Sequence, residues 1–252
     1  MKSQILNARF DTYDLKQTSQ VVFQHINEGR RGWLCTVNVA ILMMMRSNPA
    51  LQHFVDRAAI VVADGQPLVW CAPLLDQALP ERVTGVDLIE LLCATAEQEN
   101  HTIYLLGGTD DIIRLSAQRL QQRYPKLTLC FADGYFTEAQ APQRAAAIKA
   151  SGAAILLVGM GVPRQEQFIE NQWNKLGVSI AIPVGGSFDV IAGIKLRAPL
   201  WVQKIGMEWS WRLAQDPRRL FKRYMITNSQ FIYHLGKTLL SNALKKIIRK
   251  QS

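Results

Sequence analysis

Side chains able to do chemistry gather in this chain where apolar runs stop. Thr36-Val37-Asn38 closes the run beginning at 33, and Asp64-Gly65 follows 59–63. Gly107-Gly108 follows 102–106, Asp133-Gly134-Tyr135-Phe136 follows 128–131, Gly159-Met160-Gly161 follows 153–158, and Gly185-Gly186 follows 179–184. Residues of this kind leave backbone N–H groups bare and bring hydroxyl, amide and carboxylate groups to a ligand. A dinucleotide oxidoreductase is the first chemistry to test. Gly159-Met160-Gly161 lacks the third glycine of GxGxxG, and no acid ends the next run at 178–184. A nicotinamide or flavin cofactor is therefore poorly supported, and no cofactor is expected. There is no Asp-x-Asp pair to hold a metal, and the only adjacent acids are Asp110-Asp111. His25, His53, His101 and His234 have no ligand spacing, and no Ser-His-Asp or Cys-His arrangement suggests itself. Cys35, Cys71, Cys93 and Cys130 show no CxxC or CxxH spacing and lie in or beside apolar segments, which predicts buried free thiols in a reducing compartment.

The elements that would carry these residues alternate. Each short β-type run is followed by a helical pattern: 39–45 after Asn38, a helix opened by Pro67, one capped by Thr109-Asp110-Asp111 and reaching 124, one capped by Thr137 and reaching 150, and one from about Pro163. That order predicts an α/β fold, a Rossmann-like parallel sheet with helices on both faces and ligands at the strands' carboxyl ends. With 252 residues, 48% hydrophobic and 19% charged, the chain can bury a sizeable core and is neither disordered nor fibrous. The longest apolar stretches, 39–45 and 153–162, are roughly half the ~20 residues a membrane span needs. The first seventeen residues are mixed and polar with no apolar signal region, so no secretory leader is expected.

Charge divides the chain. Residues 195–252 hold thirteen Lys and Arg against Glu208 and Asp216, a net +11, and the preceding 194 residues carry −2. The boundary predicts a body over 1–194 and a basic helical appendage over 195–252 that meets something anionic. No zinc-finger spacing or RNP-type aromatic motif is present, so nucleic acid is not the expected partner. Apolar residues at 220/221, 224/225, 231/232, 235, 239/240, 243/244 and 247/248 follow helical spacing, with Lys and Arg between them. Such a helix suits an anionic membrane surface; the competing reading packs it on its own body or on a partner subunit, as in a homo-oligomer.

In order along the chain come Thr36-Val37-Asn38, Ala63-Asp64-Gly65, Arg82-Val83-Thr84-Gly85-Val86-Asp87 and Asp133-Gly134-Tyr135-Phe136. Gly161-Val162-Pro163-Arg164-Gln165-Glu166, Val184-Gly185-Gly186-Ser187-Phe188-Asp189, Arg197-Ala198-Pro199-Leu200-Trp201 and Gly206-Met207-Glu208-Trp209-Ser210-Trp211-Arg212-Leu213 follow. Eight motifs in register resemble the WecG/TagA/CpsF family of bacterial glycosyltransferases, family 26, over about residues 5–225. The resemblance implies transfer of a hexose or N-acetylhexosamine from a UDP-sugar to a polyprenyl-diphosphate-linked saccharide. It further implies inversion, no essential metal, and work on the cytoplasmic face of the membrane, toward cell-wall polymers or exopolysaccharide.

Such a transfer needs a base for the acceptor hydroxyl. Asp64, beside Gly65 at the end of an apolar run, suits it and matches the family's base; the competing role is a cap for the helix near Pro67. Thr36 and Asn38 offer a hydroxyl and an amide to sugar hydroxyls, or a cap and a turn. Charge on the departing diphosphate calls for Arg82 and, from the appendage, Arg212, Arg219 and Arg223. Gln165 resembles the family's substrate-contacting glutamine, whereas Glu166 reads as a first-turn helix acid. Gly107, Gly108, Gly185, Gly186 and Asp189 are expected at the nucleotide floor or in tight turns, with Asp87, Gly134 and Tyr135 in the substrate set. Trp201, Trp209 and Trp211 read as core or interface aromatics. The reading alternatives to a glycosyltransferase are a nicotinamide oxidoreductase and a non-catalytic basic peripheral membrane protein.

Overall fold

A computed structural model describes residues 2–251; the side chains of Arg219 and of residues 245–251 lie outside the described set. Two short strands not expected from the sequence, β1 (Lys2–Ile5) and β2 (Ala8–Asp11), pair antiparallel around Leu6, whose φ is 50°. The six expected runs become β3 (Gly32–Val37), β4 (Ile60–Ala63), β5 (Ile103–Gly107), β6 (Leu129–Ala132), β7 (Ile155–Gly159) and β8 (Ile180–Pro183). They form one parallel sheet in the order β4-β3-β8-β7-β5-β6.

Alternate side chains point to opposite faces of a strand. Trp33, Cys35 and Val37 enter one core and Leu34 the other; Tyr104 and Leu106 oppose Ile103 and Leu105 in the same way. Both faces are apolar, so both must be covered. One side carries α1 (Leu15–Asn27), α5 (Gly85–Glu99), α6 (Asp110–Arg123) and α9 (Ser187–Ile191). The other carries α2 (Val39–Ser47), α3 (Pro49–Asp56), α7 (Ala141–Ala150) and α8 (Arg164–Leu176). α4 (Gln66–Cys71) follows β4, and Thr109 caps α6 as expected, accepting from the Ile112 N–H. All four cysteines are free thiols; Cys35, Cys71 and Cys93 are buried, and Cys130 on the edge strand is partly open.

Past Ile194 the chain forms α10 (Leu200–Lys204), α11 (Glu208–Gln215) and one long helix, α12 (Pro217–Gln251). The apolar spacing from 220 onward serves two sides of α12. Leu220 and Phe231 are buried, and Leu235 and Leu239 pack against the core that includes α2. Ile226, Ile232, Tyr233, Leu240 and Leu244 face outward. The stretch 226–239 is thus docked on its own body along one face. Residues 247/248 and the bases Lys245, Lys246, Arg249 and Lys250, which the stripe was read to include, lie outside the described side chains. Phe231 is only 7% exposed, so Phe231→Ala should lower stability by about 3 kcal/mol, as for other buried Phe truncations. Urea denaturation checks this: an unchanged midpoint would mean that the helix does not dock.

Candidate active site

Val37 and Ala63 are partners in the β3–β4 ladder, and the Asp64 N–H donates to the Val37 carbonyl at 2.8 Å. Asn38 and Asp64 therefore leave the sheet side by side. Asn38 caps α2, its Oδ1 accepting from the Ile41 N–H at 3.0 Å. With that oxygen engaged, its amide N–H is left to face Asp64, where it favours the ionised carboxylate. Gly65, with φ +136°, occupies the N-cap position of α4, and no side chain caps that helix. Asp64 is thus not the cap that the sequence left open as its competing role. A non-glycine residue would be strained at that φ, which explains the Asp-Gly pair.

The appendage completes the surroundings of Asp64. Glu208, at the start of α11, bridges two arginines: Arg82 Nη1 lies 2.5 Å from Oε2, and Arg212 Nη2 lies 2.8 Å from Oε1. Arg82 also donates to Gln203 of α10 at 2.8 Å. Burial pushes the Asp64 carboxyl up to about 6. Arg212 and Arg82 pull against that rise, Glu208 adds to it, and the Asn38 hydrogen bond opposes it. A carboxylate tuned toward neutrality can take up a proton at physiological pH while remaining mostly ionised there.

Two lobes of a cleft meet at this point, sharing Asn38, Ala40, Asp64 and Arg212. One is lined by Thr36, Gly85, Gly161, Gln165, Gly185 and Gly186, and also by Lys195 and Arg223. The other is lined by Gly65, Gln66, Pro67, Arg82, Gly206 and Glu208, and by Trp209, Tyr224, Asn228, Phe231 and Ile232. Trp209 and Tyr224 meet edge to face with ring centroids 6.0 Å apart. The first lobe is rich in glycine and cations, and the second is largely aromatic and apolar.

The structure gathers Asp64, Thr36, Asn38, Gly65, Arg82, Gln165, Gly185, Gly186, Arg212 and Arg223 around the cleft. The Arg219 side chain lies outside the described residues. Gly107, Gly108, Gly134 and Tyr135 line neither lobe, because β5 and β6 occupy the far half of the sheet. A Cβ at Gly107 would come within 2.4 Å of the Gly159 carbonyl oxygen, so this glycine permits strand ends to approach. Tyr135 is 72% exposed. Asp87 faces Arg197 at 2.5 Å and accepts from the Thr84 hydroxyl at 2.7 Å, latching the appendage to α5. Asp189 holds Lys195 at 2.7 Å and thereby orients a cation of the glycine-rich lobe.

Glu208, Trp209, Tyr224, Asn228 and Phe231 were not singled out as site residues. Glu208 and Trp209 sit in the quoted 206–213 motif beside Arg212, and that adjacency was a usable signal. Tyr224, Asn228 and Phe231 follow i, i+4, i+7 spacing, which a sequence cannot separate from core packing. Trp201 is 66% exposed, so of the two roles open to it the core one does not hold, and Glu166 is the first-turn acid that was expected, but it is buried.

The model of the Glycosyl transferase WecG/TagA/CpsF family matches residues 3–245, and the chain belongs to that family. Among similar curated proteins are those of Staphylococcus aureus strains MW2, NCTC 8325 / PS 47 and COL. Each is named N-acetylglucosaminyldiphosphoundecaprenol N-acetyl-beta-D-mannosaminyltransferase. Each is 29% identical over 238 residues, covering 94% of this chain and 92% of the relative.

Proposed function

We propose that the protein is an inverting hexosyltransferase, moving an N-acetylmannosamine-type or glucose-type sugar from a UDP carrier to a polyprenyl-diphosphate-linked saccharide. The observation that carries this reading is the position of Asp64 where a cationic, glycine-rich lobe meets an aromatic one. The names of the relatives add an N-acetylmannosaminyl group and an N-acetylglucosaminyl-diphosphoundecaprenol acceptor, and the same chemistry fits here. The body, residues 1–194, supplies the base and the loops of the sugar-nucleotide lobe; residues 195–252 complete the site.

In this mechanism the acceptor hydroxyl, lying in the aromatic lobe, attacks the anomeric carbon from the face opposite UDP. Its proton passes to Asp64 as the new C–O bond forms and the bond to the β-phosphate oxygen breaks. Thr36 and Asn38 steady sugar hydroxyls and the base. Arg212 and Arg82, with Lys195, Arg223 and Arg219, meet the charge that develops on the diphosphate. Glu208 holds Arg82 and Arg212 in place until a diphosphate competes for them.

Guanidinium groups then fill the place a divalent metal takes in other transferases. Among the described residues no group of three or more His, Cys, Asp or Glu side chains could hold a metal ion. Activity is expected to survive EDTA; loss on chelation, restored by Mg²⁺ or Mn²⁺, would contradict the assignment.

No helix among the described residues is long and apolar enough to cross a membrane. We place the protein on the inner face of the plasma membrane as a peripheral enzyme. The outward residues Ile226, Ile232, Tyr233 and Leu240 of α12, with Lys222 and Lys237 on that helix, would meet anionic lipid. Binding to anionic liposomes should weaken as salt rises, since the Debye length shrinks to about 3 Å at 1 M. Indifference to such liposomes at low salt would leave the outward face to a partner subunit.

Calorimetric titration of UDP, UDP-sugars and NAD(H) tests the nucleotide class. Binding of UDP and UDP-sugars without NAD(H) is expected. Binding of NAD(H) alone would favour an oxidoreductase, and binding of no nucleotide a non-catalytic peripheral protein.

A further inference from the structure

Glu166 has no part in the chemistry above, yet its surroundings are unusual for an acid. It stands in the first turn of α8, where a carboxylate normally gains from the helix N-terminus while staying in water. Here it is turned inward and is 4% exposed. Oε1 accepts from Gln165 Nε2 at 2.8 Å, and Oε2 is buried with no hydrogen-bond partner among the described residues. A buried carboxyl with an idle oxygen costs stability, so α8 packing alone would favour an apolar residue here.

Gln165 shows what the carboxyl does. Its Oε1 accepts two backbone N–H groups, Gly161 at 3.2 Å and Gly185 at 3.1 Å. These belong to different loops, one after β7 and one after β8, and both line the glycine-rich lobe. Both glycines have positive φ, +80° and +54°, and open space where a Cβ would stand. A glutamine amide presents either oxygen or NH₂ to a neighbour, and NH₂ turned toward two N–H groups would set donor against donor. The two N–H groups already favour the oxygen, and a partner that accepts at Nε2 strengthens that preference and fixes where the amide lies.

We propose that Glu166 is a positioning residue: its carboxyl locks the Gln165 amide with the oxygen toward Gly161 and Gly185, and so fixes the spacing of the two loops that frame the sugar-nucleotide lobe. The functional part of the inference rests on the reading of that lobe given above. Burial pushes the carboxyl up to about 7, and Oε2, with no partner among the described residues, can carry a proton without disturbing the bond at Oε1. Oε1 remains an acceptor in either state, so the lock does not depend on protonation.

Two variants of the full-length protein test this. Glu166→Leu removes the acceptor; Glu166→Gln retains an oxygen that can accept from Nε2. In Glu166→Leu, amide exchange at Gly161 and Gly185, read by NMR with ¹⁵N-glycine, should quicken about tenfold. KM for the UDP-sugar should rise about tenfold, with KM for the acceptor unchanged and kcat within about threefold. Glu166→Gln should stay within about threefold of the parent in every reading. Glu166→Met, similar in length, replaces the leucine variant if that fails to fold. A folded apolar variant with parental exchange at both glycines would overturn the proposal, as would equal loss of affinity for both substrates. Titration of the parent protein with UDP separates the two levels. If exchange quickens as expected but UDP does not bind the parent, the lock stands and the assignment of the lobe fails.

Discussion

Asp64→Asn is expected to lower turnover by roughly 10²–10⁴-fold while leaving UDP affinity nearly unchanged. The asparagine keeps the size of the side chain and can still meet Asn38, but it cannot accept the acceptor's proton. Near-parental turnover in a folded Asn variant would remove Asp64 from the mechanism. The same substitution should raise stability at neutral pH. The carboxyl sits at about 6 in the folded protein against 3.8 ordinarily, so folding opposes its ionisation. That cost is absent below pH 4, grows through the interval between the two values, and is complete above about 6. It amounts to about 3 kcal/mol, so the melting temperature of Asp64→Asn should exceed the parent's at pH 7.5 and match it near pH 3.5. Stability bought by losing the base is the behaviour of a catalytic group held in an unfavourable environment.

Arg212→Ala is expected to cost about 10²–10³-fold in kcat, the range for removing one preorganised electrostatic contact from a developing anion. Arg212 borders both lobes and is paired to Glu208 at 2.8 Å, so it comes from the appendage directly to the junction. Its loss also takes away a cation that holds the Asp64 carboxyl down. The acid limb of the kcat profile, expected near pH 6 in the parent, should therefore move to higher pH. Arg212→Lys should fall between the two, because an ammonium keeps the charge and loses the planar fork. Turnover in Arg212→Ala above about a third of the parental value would show that the diphosphate charge is met elsewhere, and an acid limb that does not move would show that Arg212 does not hold the Asp64 carboxyl down.

The six parallel strands were legible because each is a short apolar run ended by Gly, Asp or Asn, with a helix start close behind. The hairpin of Lys2–Ile5 and Ala8–Asp11 was not, since two four-residue strands carry too little alternation to stand out from a polar N-terminus. Strand order was not legible either, and it decides which motifs meet. Asn38 and Asp64 share one edge of the cleft because β3 and β4 are adjacent. Gly107 and Tyr135 are left out because β5 and β6 lie beyond β7. The appendage was visible as charge and helical spacing. Its docking face was not, because Phe231 facing α2 and Ile232 facing outward look alike in sequence. Glu166 was legible as a first-turn acid of α8 but its burial was not, because an acid next to Gln165 fits both a solvated helix start and a buried anchor.

The most direct test of the central claim is acceptor-dependent UDP release, with UDP-N-acetylmannosamine as donor and a soluble polyprenyl-diphosphate N-acetylglucosamine analogue as acceptor. The account predicts that UDP appears only when both are present, that the acceptor gains the mass of one N-acetylhexosamine, and that Asp64→Asn abolishes nearly all of it. UDP release that ignores the acceptor, or no release from any UDP-hexose or UDP-N-acetylhexosamine by protein shown to be folded, would contradict it.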